Sequence, residues 1–474
     1  MGNIRKRLRW PKSSLGPSEL EVDDVYPLHM LDDTKGCRGF FLAWTLRFND
    51  VLDARPLHES LSRLLEIGHW RKLGGRLRMN ANGRLEYHVP KQFTSKRPAI
   101  AFSCDTSSSQ MSIDEHPVAS RLPRAMAEPF LQPASMHFRT FAARPDVPSS
   151  INEMIANDAP QLSLHVTSFN NATLVGISFP HTLMDAMGFE TLLRSWSLVL
   201  AGREDEVPPI LGARDDVLWA SGAKYTGQNG EEDFILGRKI LRGVSKLKFL
   251  LRLAWENFWN PDAETSILYL SNSAIAQLRH QAMRSIAVES KGELDKNNFI
   301  SDGDILKAWV TQIIASSEPR PRPITILNAI NARFRLASKL QAPGQGVYVQ
   351  NMILVSFTCL SPQVARGPLG AVAAESRRQL AEQTTEQQMT MSLRLMRQKF
   401  ESGQQPGFLA GATDSIPFVF NDLTKINIIG AADFKPAVLR QGDVAESRNN
   451  PIGTMVYHHF QNLNHIAFKV NFVR

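Results

Sequence analysis

A chain of 474 residues is more than one ordinary core needs, and at about 100 to 200 residues per domain it predicts two domains. With 43% apolar and 21% charged residues the composition is globular, which excludes a fibrous or largely disordered protein. The 54 Lys and Arg exceed the 46 Asp and Glu by 8, a surplus spread too thinly for the focused basic stripe of a nucleic-acid reader.

In chain order, the basic start Met1-Gly2-Asn3-Ile4-Arg5-Lys6-Arg7 lacks the apolar core of a signal peptide and reads as a solvated tail. Within residues 53–75, Leu57, Leu61, Leu64 and Leu65 recur at helical spacing, with Pro56 in a first turn and Gly74-Gly75 closing the segment. Residues 76–89 alternate in polarity on either side of Asn82-Gly83, which predicts a hairpin. The pattern repeats over 161–179 about Asn170-Asn171. After Asp185, the residues Met187, Leu192, Trp196 and Val199 predict a core-facing helix closed by Gly202.

From about Arg203 to Asp262 the pattern breaks into an acidic, Pro-containing stretch, a Gly-rich stretch and a basic segment, and 211–262 reads as an interdomain crossover. Its basic segment, 238–260, carries Phe249, Leu250, Leu253 and Trp255; it is assigned to covering a domain's flank, with a membrane surface as the other reading. Beyond it come a strand at 267–270, a helix from Ser273, and a second helix after Ser301-Asp302-Gly303-Asp304, where Ser301 and Asp304 resemble a capping box. Strands are predicted at 324–330, 347–357, 417–420 and 465–473, with helix-forming residues over 370–402. Each half alternates strands with helices, so the expected fold is α/β, with domains at 1–210 and 263–474.

Phosphate loops of the Walker or dinucleotide type are missing, and no His clusters with acids or Cys at metal-ligand spacing, so no metal is expected. Cys37, Cys104 and Cys359 lie too far apart for a disulfide framework and fit a reducing cytoplasm; no apolar run reaches the 18 or so residues of a membrane span. The segment Gly176-Ile177-Ser178-Phe179-Pro180 stops one Gly short of a nucleophile elbow. What remains is Ser178-Phe179-Pro180-His181-Thr182-Leu183-Met184-Asp185-Ala186-Met187-Gly188. The spacing His-x-x-x-Asp is expected about once by chance in such a chain, and a second case runs from His29 to Asp33. Context separates them. His181 stands where an apolar strand ends and a helix begins, at the sheet edge where α/β proteins place ligands, whereas His29 lies in an irregular segment.

Five ordered blocks resemble the BAHD acyltransferases, the CoA-dependent family with the His-x-x-x-Asp motif, and most of all their fungal branch. They are Val25 to Asp32, Leu73-Gly74-Gly75-Arg76-Leu77, His181 with Asp185, Phe299 to Trp309, and Ile330-Asn331-Ala332-Arg333-Phe334-Arg335. The chain departs from the family at Ala186, where Gly is usual, with Gly188 two places on. It also departs at Asp433-Phe434-Lys435-Pro436, which lacks the family's Gly-Trp-Gly.

The resemblance implies two similar-sized α/β domains like chloramphenicol acetyltransferase, with the active site in the channel between them. It implies His181 as general base and acyl-CoA, acetyl-CoA above all, as co-substrate, with no permanently bound cofactor. A small-molecule acceptor is its only other partner, in a cytoplasmic monomer. Asp185 is implied to be structural, paired with an arginine for which Arg333 is the candidate. Ser301, Arg333, Thr424 and Asn421 are expected on the cofactor side, Thr424 or Asn421 as oxyanion donor. A free-standing condensation-domain-like enzyme using a carrier-protein thioester and a non-catalytic binding protein are the alternatives.

Overall fold

The computed structural model describes residues 23–472 apart from 125, 134–135, 224–233, 261–264, 290–298, 341–343, 443–454 and 460–467. The basic start 1–7 and the first residues of the strand expected at 465–473 lie outside the described residues. Two larger sheets organise the chain. In the first, strands run in the order Met455–His459, Phe41–Phe48, Thr173–Pro180, Ser163–Ser168, Ala101–Asp105. In the second the order is Ile353–Leu360, Ile324–Asn331, Ile416–Asp422, Phe468–Phe472.

Thr173–Pro180 is buried along its whole length, as a central strand covered on both faces must be. On one face helix Ala186–Leu200 packs, Phe189 stacking on Trp44 at 5.2 Å. On the other, the backbone of residues 141–142 comes so close that a Cβ on Gly176 would sit 2.3 Å from the Phe141 carbonyl, so only glycine fits. Trp196 ties the helix to its neighbour Ala54–Leu64, donating from Nε1 to the Leu57 carbonyl at 3.1 Å and to Ser60 Oγ at 2.9 Å. In the second half Ile324, Ile326, Phe418 and Phe420 share a core with helices Asp302–Ser317 and Leu369–Gln383.

The structure departs from the periodicity in three places. The helix expected over 53–75 ends at Leu64, and a 3₁₀ turn, Gly68–Gly74, follows, entered through Gly68 at φ +45°. The strand expected at 347–357 starts only at Ile353, since the backbone amides of Asn351 and Met352 before it are turned toward Asp32 and Asp185 of the first half. The basic segment forms helix Gly243–Trp259, of which Phe249 alone is buried; its apolar side does not cover a flank. Strand Met455–His459 pairs antiparallel with Phe41–Phe48, so a late segment closes one edge of the first sheet.

Candidate active site

The site begins where Thr173–Pro180 stops. The His181 amide donates to the Phe40 carbonyl at 2.7 Å, continuing the pairing of Phe41 with Pro180 one step past the strand. Its carbonyl accepts from Asn351 Nδ2 at 2.7 Å. The imidazole, half-buried and 6.4 Å from the Phe40 ring, lines a cavity of about 1030 Å³. Residues of both halves line it, among them Trp44 and Met187 from the first and Asn328, Phe357 and Asn421 from the second.

Asp185 caps helix Ala186–Leu200, accepting from the Gly188 amide at 2.9 Å. Its other contacts are the Met352 amide at 3.0 Å and the Arg333 guanidinium, Nη1 at 2.8 Å and Nη2 at 3.1 Å. Both oxygens are thus held by backbone amides and by the second half, which is the geometry of an anchor between halves. Arg333 completes its fork on the carbonyls of Tyr348, at 2.9 Å, and Gln350, at 2.7 Å. With every arm engaged it stands behind the cavity wall as a buried clamp and is not among the residues that line the cavity.

Gly188 carries the close approach that the altered turn requires. A Cβ there would stand 2.1 Å from the Val349 carbonyl, in the same segment that holds Arg333. Ala186 occupies the helix's first position, where a methyl is tolerated.

Linked to His181 through Asn351 is a buried charge cluster of Asp32, Lys72 and His29. Asp32 Oδ1 accepts from both the amide and Nδ2 of Asn351, each at 2.8 Å, so Asp32 fixes the residue that holds the His181 carbonyl. Burial pushes the Asp32 carboxyl up to about 6, partly offset by Lys72 and by the Asn351 hydrogen bonds. Lys72 is itself pulled down by burial, and His29 is driven well below its usual value by burial and by Lys72.

Farther along the cavity wall stand Ser301, Lys307, Arg335, Arg377, Asn421 and Lys425. Ser301 and Asp304 form the reciprocal cap: the Ser301 hydroxyl donates to Asp304 Oδ2 at 2.7 Å and accepts from the Asp304 amide at 3.2 Å. Burial lowers Arg335, and the neighbouring Arg377 guanidinium lowers it further, the mark of two cations sharing one wall. Thr424 stands behind this wall. Its hydroxyl donates to Asp422 Oδ1 at 2.6 Å and is not part of the lining. In the remnant Asp433-Phe434-Lys435-Pro436 only Phe434 turns inward, fully buried against Trp196 at 4.4 Å and Phe48 at 5.2 Å, while its three neighbours are exposed and none of the four lines the cavity.

Sequence reasoning missed Asn351, Asp32, Lys307, Arg335 and Arg377. Asp32, Lys307 and Arg335 sit within the motif blocks Val25 to Asp32, Phe299 to Trp309 and Ile330 to Arg335, which was their signal; Asn351 and Arg377 carry none beyond residue type.

Two sheets that share a cavity, with a histidine at a strand end facing into it, define an α/β transferase architecture. Residues 147–423, more than half the chain, match the model of the Transferase family. The chain is 37% identical over 454 residues to O-acetyltransferase PaAT-2 of Phomopsis amygdali, covering 94% of this chain and 90% of that one. It is 34% identical over 443 residues to acetyltransferase pyiB of Pyricularia grisea, covering 93% and 86%. Among solved structures, TRI101 of F. graminearum complexed with ethyl coenzyme A has the same fold, with TM-score 0.58 at 12% identity and coverage of 94% and 91%. The chain belongs to this transferase family, the fungal side of the BAHD acyltransferases, and is an acyltransferase.

Proposed function

We propose that the protein transfers an acyl group, acetyl first among candidates, from acyl-CoA to a hydroxyl of a small secondary metabolite, with His181 as general base. The observation that carries this is His181 at the wall of a cavity shared by both halves, while Asp185 is held by Arg333. In this reading residues 1–210 and 263–474 are the two domains, 211–262 the crossover, and the enzyme is a cytoplasmic monomer. The names of the two acetyltransferase relatives support the acetyl group, and that of PaAT-2 the hydroxyl over an amine.

The neutral imidazole takes the acceptor's O–H proton as the oxygen attacks the thioester carbonyl. The tetrahedral oxyanion forms next to Asn421, which lines the cavity and is preferred over Thr424 as donor. Collapse breaks the C–S bond and releases CoA thiolate, which receives the proton back from the imidazolium, so no acyl-enzyme is formed. Arg335, Arg377 and Lys425 supply positive charge for the CoA phosphates, and Leu42, Trp44, Phe357 and Phe408 suit an apolar acceptor.

Release of free CoA thiol from acetyl-CoA, with carrier-protein thioesters and a donor-free reaction in parallel, tests the reading. Turnover of acetyl-CoA supports it. Turnover of the carrier thioester alone would transfer the chain to condensation-type chemistry, and acceptor binding without turnover would make it a binding protein.

A further inference from the structure

Helix Gly243–Trp259, 17 residues long, presents its apolar side to solvent. Soluble helices turn that stripe to the core. Here the side facing the protein is fastened by Phe249, the one buried residue, and by Arg252, which donates to the carbonyls of Thr413 at 3.0 Å and Ser415 at 2.6 Å. Arg252 also pairs with Glu256 at 2.8 Å, and Glu256 with Arg322 at 2.9 Å. On the far side Val244, Leu247, Leu251, Trp255 and Phe258 follow one another at helical spacing, each between 55% and 71% exposed. Trp255, Phe258 and Trp259 cluster at the helix's end, ring centroids 5.5 to 6.4 Å apart.

The opposite end is basic. Arg238, Lys239, Arg242, Lys246 and Lys248 are all exposed, and no Asp or Glu interrupts the sequence from 238 to 255. Arg242 and Lys246 add to burial in lowering Lys399, so their field reaches the neighbouring surface. A second copy of the chain docking through this face would set like charges against each other. An anionic lipid surface meets both features: tryptophans favour the membrane interface, and lysines and arginines favour acidic headgroups.

We infer that this helix is a peripheral membrane contact, lying in the plane of an anionic phospholipid surface with Trp255, Phe258 and Trp259 at the acyl boundary and Lys246 and Lys248 against the lipid phosphates. Its length, about 25 Å, lies along such a surface and does not cross it. Among the described residues no helix is long and apolar enough to span a membrane.

Flotation of the full chain with phosphatidylcholine vesicles, with and without phosphatidylserine, tests the inference. Binding is expected only when phosphatidylserine is present, and it weakens as salt rises. Replacing Trp255, Phe258 and Trp259 together by Ser should cut vesicle partitioning by about tenfold or more. Lys246→Glu with Lys248→Glu should abolish the preference for phosphatidylserine. Both variants should melt and turn over in solution like the native chain, since none of these residues packs the core or lines the cavity. No flotation, flotation that the variants leave unchanged, or a dimer in sedimentation velocity that the aromatic variant dissolves would each overturn the inference.

Discussion

Two stretches of this chain read His-x-x-x-Asp, and the fold treats them in opposite ways. His181 ends a strand, half-buried, with its ring on a cavity that both halves line. His29 is 4% exposed, driven well below its usual pKa by burial and Lys72, and its near acid is Asp32 at 3.8 Å, one residue short of the motif. Asp33, the residue at the motif position, accepts from Arg38 Nε at 2.7 Å. A group that must exchange protons with a substrate needs access, and only one of the two has it. Spacing therefore says little, and the strand-to-helix junction around it says much. The buried stretch still serves the open one, because Asp32 secures Asn351 and Asn351 secures the His181 carbonyl.

This contrast can be broken in graded steps. His181→Ala should lower kcat by about a hundredfold or more with unchanged melting; near-normal turnover in a folded variant removes His181 as the base. Asp185→Ala and Arg333→Ala should each cost about 3 to 5 kcal/mol of stability, because either change strands a buried charge. Denaturant unfolding measures this, and wild-type stability in Arg333→Ala would refute the clamp. Asp32→Asn keeps an acceptor for Asn351, so kcat should fall by no more than about tenfold; a loss as large as that of His181→Ala would make Asp32 part of the chemistry.

The smallest effect on rate belongs to His29→Ala, which should change kcat by less than about threefold and reveal itself in pH dependence. His29 has a depressed folded value, so the unfolded chain takes up its proton first and stability is lost as pH falls below about 6.5. Asp32 is raised from 3.8 to about 6, so the folded chain binds more protons and stability is lost as pH rises through that window. The two oppose each other in the native chain. In His29→Ala only the Asp32 part survives, and melting temperature should rise relative to the native chain as pH falls from about 6 to about 4. An unchanged profile would mean that His29 is protonated in the fold.

Local patterns made most of the scaffold legible. The apolar run that becomes Thr173–Pro180 and the 3.6-residue period that becomes Ala186–Leu200 meet at His181, so the junction is written in the sequence. The residues that complete it are not. Asn351 reaches Asp32 across 319 positions, and no periodicity records such a contact. Residues 347–352 look like strand because they are apolar and β-branched in part, yet after a single bridge from Val347 to Ile210 their backbone groups bond Arg333, Asp32 and Asp185 instead of a neighbouring strand. The stripe on Gly243–Trp259 is equally plain in sequence, but which way a stripe faces is decided by tertiary contacts.

The pairing of Met455–His459 with Phe41–Phe48 has a consequence for how the chain is made. The other strands of that sheet are complete at Pro180, 275 residues before Met455, which at ribosomal speed is about 14 to 55 s of synthesis. Throughout that interval the first sheet has an open, apolar edge, the surface on which strands of other chains can nucleate. This late strand thus acts as a seal, and the nascent protein depends on that edge being shielded until the strand arrives.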